Sequence, residues 1–187
     1  SEVSVKEMVG AFSIYANKGV YNAPMMVTKI EDKYGNVLAN FYPESREVIT
    51  ENTAFLMANL LQGVVDEGTG RRLRFRYGFK NQIGGKTGTT QNHSDGWFIG
   101  ITPDLAGGVW VGAEDRSIHF QNLANGQGAS MALPIWALFM QKVYADKSLA
   151  VPQSDFQKPN GVNHVLDCGD ADREGMTDYD SSDEIFD

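Results

Sequence analysis

The chain has 187 residues, 42% of them apolar including ten phenylalanines, and a formal net charge of −8. That suits one domain or the greater part of one, and it excludes a chain disordered throughout. Residues 165–187 hold nine acidic side chains against Arg173, which accounts for the whole net charge; the body before them is neutral, which excludes a basic nucleic-acid-binding field.

Ser4-Val5-Lys6-Glu7 has the form of a capping box, and Met8, Val9, Phe12, Tyr15 and Ala16 recur at three and four, predicting a helix that stops at Asn17-Lys18-Gly19. Two β-rich runs follow, 25–31 and 36–41, joined by Asp32-Lys33-Tyr34-Gly35 as a hairpin. Val27, Ile30, Val37 and Leu38 are expected to pin that hairpin to the body. Thr50 caps a second helix, with Phe55, Leu56, Leu60, Val64 and Val65 expected inward, ending at Asp66-Glu67-Gly68-Thr69-Gly70. The run Arg71-Arg72-Leu73-Arg74-Phe75-Arg76-Tyr77 reads as a solvated amphipathic connector.

Residues 82–90, 96–102 and 107–113 are three strand-like runs separated by short turns, which implies an antiparallel meander. Trp97 and Trp110 within it are expected to pack in the core. The stretch 129–144 then reads as a helix apolar on most sides, buried against the sheet, with Pro134 near its first turn. The fold class is therefore α+β, a three-strand antiparallel sheet over 82–114 packed against helices. Residues 1–150 form the body, and 151–187 are a C-terminal extension, acidic and expected to be disordered from about 165.

Cys168 is the sole cysteine, so an internal disulfide is excluded. The three histidines lack ligand spacing, and neither metal nor cofactor is expected. No apolar run reaches the ~18 residues of a membrane span. The opening Ser1-Glu2-Val3 carries no secretion signal and reads as a fragment or processed product, with any anchor upstream.

The chemistry concentrates in Ile83-Gly84-Gly85-Lys86-Thr87-Gly88-Thr89-Thr90. A fixed cation beside alternating hydroxyls suits the grip of a carboxylate. The glycines are expected to let a substrate backbone lie close. Lys-Thr-Gly belongs to the motif set of serine β-lactamases and penicillin-binding proteins. With Asp95-Gly96-Trp97-Phe98-Ile99-Gly100, Gly108-Val109-Trp110-Val111-Gly112, Ala11 to Gly19, Gly68-Thr69-Gly70 and Gly126 to Trp136, the chain resembles the transpeptidase domain of class A penicillin-binding proteins over roughly residues 1–145.

The resemblance implies that Lys86 holds positive potential and organises proton transfer, and that Lys86 and Thr89 are catalytic. It further implies that Thr87, Gly88, Thr89 and Thr90 bind substrate, the Thr87 and Thr89 hydroxyls taking a terminal carboxylate. The Thr89 N–H would form half an oxyanion hole. The implied reaction is D,D-transpeptidation of peptidoglycan stem peptides ending in D-Ala-D-Ala, with β-lactams as inhibitors. The implied parent is membrane-anchored at the extracytoplasmic face, with a glycosyltransferase domain upstream. One departure is plain: no serine here begins Ser-x-x-Lys or Ser-x-Asn. The nucleophile is expected in a missing N-terminal part of the same protein, which leaves binding chemistry without acyl transfer. The alternatives are a β-lactamase or D,D-carboxypeptidase relative, and a non-catalytic peptide-binding or sensor module.

Overall fold

The computed structural model describes residues 3–162. Helix α1 (Val5–Ala16) begins with the expected box: the Ser4 hydroxyl accepts from the Glu7 N–H at 3.2 Å, and the Glu7 carboxylate accepts from the Ser4 N–H at 2.8 Å. Two small antiparallel pairs follow, β1 (Val20–Asn22) with β4 (Ser45–Glu47) and β2 (Lys29–Glu31) with β3 (Val37–Asn40). Helix α2 (Glu51–Asp66) starts where Thr50 Oγ1 accepts from the Thr53 N–H, and the short α3 (Arg72–Phe75) comes next.

The sheet that organises the body runs β5 (Gly84–Thr89), β6 (Asp95–Ile101), β7 (Ala106–Gly112), in that spatial order and wholly antiparallel. Strand β5 lies inside the run expected for it, β6 and β7 each begin one residue before theirs, and the two connections are short turns. After a loop and the short α4 (Leu123–Gly126), helix α5 (Gly128–Ala145) crosses the sheet.

Side chains alternate across a strand, so the two faces take different helices. Phe98 of β6 meets Trp136 of α5 edge to face, ring centroids 5.4 Å apart. Its neighbour Ile99 turns the other way, toward Gly108, where a Cβ would also strike Val9 of α1. On that second face Gly84 lies against Leu61 of α2. The main core is Leu73, Phe79, Ile83, Phe98, Leu133, Trp136 and Met140. Gly100 is forced by it, because a Cβ there would stand 2.4 Å from the Trp136 ring.

Several sequence expectations are corrected. The β2–β3 hairpin forms, but Val27, Ile30, Val37 and Leu38 are all exposed, because pairing satisfies its backbone while no element among the described residues covers its apolar side chains. In α2 the inward line is Ala54, Ala58, Leu61 and Val65; Leu60 is 65% exposed. The small alanines let α2 approach β5, and the 3.6-residue turn then carries Leu60 outward. Helix α5 buries Leu133, Trp136, Met140 and Val143 but exposes Ile135, Leu138 and Phe139, since one sheet covers only one side of it. Pro134 lies at its seventh residue, past the first turn, so the Ser130 carbonyl loses its helical donor.

Trp97 is half-buried, but its cross-strand partner Trp110 is 40% exposed, β7 being the outer strand. The basic run is a pin rather than a solvated connector. Leu73 is fully buried, Arg72 Nη1 donates to Ala129 O at 3.0 Å, and Arg74 pairs with Asp66 and donates to Asn81 O at 2.6 Å. The C-terminal extension joins the body at its start: the Phe156 N–H donates to Gln82 Oε1 at 2.8 Å and Val162 is buried. The expectation of disorder from about 165 falls outside the described residues. Among the described residues, nothing pairs with the outer edge of β7, and no helix is long and apolar enough to cross a membrane.

Candidate functional site

Strand β5 forms the other edge of the sheet, and its register assigns each backbone group a direction. The Thr90 N–H donates to the Asp95 carbonyl at 3.2 Å, just beyond the Thr89–Gly96 pair. Hydrogen-bonded and non-bonded pairs alternate along an antiparallel ladder. Gly88 and Lys86 therefore spend their backbone groups on β6, while the N–H groups of Thr87 and Thr89 face away from it, along the open edge.

The side chains divide by face. Thr87 and Thr89 lie with Gly85 on the α5 side; Lys86 lies with Gly84 and Gly88 on the side of α1 and α2. Lys86 is exposed, and its Nζ reaches around the edge to donate to the Thr87 carbonyl at 2.6 Å. Thr87 Oγ1 is 2.7 Å from Thr69 Oγ1, and Thr89 Oγ1 accepts from the Gly128 N–H at 3.1 Å, in the first turn of α5. The structure thus gathers Lys86, Thr87 and Thr89 at one edge, with two hydroxyls, one ammonium and two outward N–H groups. That set of donors fits an anionic or carbonyl-bearing extended ligand.

Thr90 stands apart. Its hydroxyl accepts from the Asp95 N–H at 3.1 Å and lies 3.1 Å from Ser94 Oγ, so it braces the turn after β5. Asp95 is likewise a turn residue. His93, in the left-handed region with φ 56, packs its Cβ where a side chain at Gly126 would fall. The glycines are needed for packing: a Cβ on Gly84 would crowd Leu61 and Ile101, one on Gly85 would stand 2.9 Å from Phe98, and one on Gly88 3.1 Å from Trp97.

Two residues near the edge carried no assigned role from sequence. Thr69, between the glycines that follow α2, touches Thr87, and Arg72 ties that same segment to α5 through Ala129 O and Ser130 Oγ. A shallow depression of about 300 Å³, lined by Gly68, Thr69, Arg71, Arg72, Gln127 and Ala129, opens beside them. A cavity of about 290 Å³ between Tyr15, Phe55, Asp104 and Phe156 sits at the opposite end of the sheet and contains none of the β5 donors.

A family model described as the penicillin binding protein transpeptidase domain matches residues 1–129. Penicillin-binding protein 1A of Aquifex aeolicus is 34% identical over 158 residues, covering 84% of this chain and 20% of its own length. Penicillin-binding protein 2D of Bacillus subtilis is 32% identical over 166 residues, covering 85% and 22%. The chain therefore spans about a fifth of the length of these curated relatives. Among solved structures, penicillin-binding protein 1A from Haemophilus influenzae superposes with a TM-score of 0.73 at 24% identity, covering 84% of this chain and 28% of that one. PonA1 from Mycobacterium tuberculosis in complex with penicillin V gives 0.64 at 23%, covering 83% and 40%. At these identities the structural likeness establishes the fold alone.

Proposed function

The chain belongs to the penicillin-binding protein transpeptidase family, and on that premise we propose that it is the C-terminal part of a peptidoglycan D,D-transpeptidase whose nucleophilic serine lies upstream. That serine attacks the carbonyl of the penultimate D-Ala of a stem peptide and expels the terminal D-Ala. The acyl-enzyme then passes to an amine on a neighbouring stem, forming the cross-link. A β-lactam, with its strained amide and carboxylate, acylates the same serine.

The single observation that carries this reading is the convergence of Lys86, Thr87 and Thr89 on one open sheet edge. In the proposed assignment the substrate lies along β5 as an added strand and meets the outward N–H groups. The Thr87 and Thr89 hydroxyls take its terminal carboxylate, and Gly88 keeps the strand between them flat against Trp97. Lys86 supplies the cation that offsets the carboxylate and helps organise proton transfer. The Thr89 N–H stabilises the developing oxyanion together with the nucleophile's own N–H, a contribution of roughly 3–4 kcal/mol for such a donor.

The upstream part is also what the apolar outer side of the body accommodates. The free edge of β7 and the Ile135–Leu138–Phe139 stripe of α5 are the surfaces we assign to it. In this reading the parent is anchored at the extracytoplasmic face of the membrane and carries a glycosyltransferase domain. The isolated chain binds without catalysing, since no serine in it has an activating lysine at i+3. That same absence favours a second reading, a non-catalytic peptide-binding or sensor module. D-Ala release from a D-Ala-D-Ala-terminated pentapeptide by the chain extended upstream decides between them: release supports the transpeptidase, and binding without release supports the module.

A further inference from the structure

The two hydroxyls at the β5 edge are polarised by different means, and the difference points to Thr69. A threonine hydroxyl has one hydrogen and two lone pairs. Thr89 Oγ1 accepts from the Gly128 backbone N–H at 3.1 Å, and an N–H can only donate. The Thr89 hydrogen is thereby left for another partner, and it can turn outward. Among the described residues, Thr87 has no such fixed donor. Its recorded side-chain partner is the Thr69 hydroxyl at 2.7 Å, where either oxygen could donate. If Thr87 donated to Thr69, its hydrogen would be spent and its lone pairs would face an incoming anion. If Thr69 donates, the Thr87 hydrogen is free to meet that anion.

Thr69 is held for this task. The Gly68 N–H donates to Gly63 O at 3.0 Å and the Gly70 N–H to Val64 O at 2.8 Å, so the backbone is tied on both sides of Thr69. A Cβ on Gly68 would lie 2.9 Å from the Val64 backbone, so that close approach needs glycine. Arg72, three residues on, donates to Ala129 O and Ser130 Oγ in the first turn of α5, the turn whose Gly128 N–H serves Thr89.

We infer that Thr69 is a positioning residue that sets the direction of the Thr87 hydroxyl: its O–H donates to Thr87 Oγ1 and turns the Thr87 hydrogen toward the ligand's carboxylate. This rests on the proposed transpeptidase reading, in which a carboxylate binds at Thr87. Thr69 extends the carboxylate site to the α2–α3 turn without touching the ligand, and no covalent step is assigned to it.

The test uses the chain extended upstream, with benzylpenicillin and its methyl ester as probes differing only in the free carboxylate. Thr69→Val should lower the second-order acylation rate for benzylpenicillin roughly fivefold, as loss of one polarising hydrogen bond behind a charged one would. It should leave the slower ester rate unchanged. Thr69→Ser, which keeps the hydroxyl, should restore the rate. Adding Thr69→Val to Thr87→Val should cost nothing further, because the effect passes through Thr87. Unchanged benzylpenicillin acylation in Thr69→Val overturns the inference. So does an equal loss with both probes that serine fails to restore, which would mark a structural role only. Failure of the unsubstituted extended chain to be acylated at all would instead overturn the transpeptidase reading, and this inference with it.

Discussion

Strands β5 and β7 are both outer strands of one sheet, yet they are finished in opposite ways. At β5 the edge is polar and braced: α2 and the 68–70 turn lie against it, each wall hydroxyl has a partner, and Lys86 folds back onto the Thr87 carbonyl. Strand β7 has no outer partner among the described residues and its Trp110 is exposed, while α5 shows Ile135, Leu138 and Phe139 at 50–58% exposure on its side away from the sheet. An edge with spare donors and bound hydroxyls suits the proposed ligand, which comes and goes. An edge flanked by bare apolar side chains costs solubility unless something stays on it. In the proposed reading the same three strands carry a site on one border and a seam on the other.

The largest effect expected from breaking the β5 side is chemical. In the chain extended upstream, Lys86→Ala should lower β-lactam acylation by about a hundredfold or more, because it removes the cation facing both the anion and the proton path. Folding should be unaffected, since Lys86 is exposed; stopped-flow acylation with a circular dichroism control measures both. On the β7 side the effect should be on stability and should depend on what is attached. Leu138→Asp should cost the extended protein about 2–4 kcal/mol in denaturant unfolding, the range for a charge forced into a packed interface. The isolated chain should lose no more than about 0.5 kcal/mol, the range for an exposed site. Equal losses in both would remove the seam from the account.

A smaller effect sharpens the β5 description. Thr89→Val should weaken benzylpenicillin acylation about tenfold, less than Lys86→Ala, because the backbone N–H survives when the hydroxyl is lost. The smallest effect lies away from both edges, at the cap of α1. The Ser4 backbone N–H, and then its hydroxyl, hold the Glu7 carboxyl below its ordinary value of 4.5. A carboxyl lowered in the folded state contributes stability that is present above its ordinary value and is lost as pH falls through the folded one. The gap in thermal midpoint between Glu7 and Glu7→Gln should therefore be present at pH 7 and shrink as pH drops below 4.5. A gap that widens in acid would contradict the capping box.

How far each border was legible in the sequence follows from the range of the forces involved. The meander could be read because short turns leave neighbouring strands no other pairing, and the Lys86 strand because cation and hydroxyls lie within a few residues of each other. The capping box spans four residues and was equally local. What eluded sequence reasoning depended on distant chain. Alternation marks Val27, Ile30, Val37 and Leu38 as one apolar set but carries no information on whether an element covers them. Counting large side chains picked Leu60 in α2, whereas Ala54 and Ala58 face inward because β5 comes close there. The packing that the β5 glycines allow, with Leu61, Phe98 and Trp97, was likewise invisible in the sequence. Thr69 was visible only as part of a glycine pair, since its contact lies 18 residues away on another element.

The central claim is that the β5 edge supplies binding groups while the nucleophile comes from chain that precedes residue 1. Intact-mass spectrometry after incubation with a fluorescent penicillin tests it most directly, on the isolated 187 residues and on the chain extended upstream. The account predicts one covalent adduct on the extended chain, on a serine that precedes residue 1, and none on the isolated chain. A stable adduct on any serine of the isolated chain would contradict it.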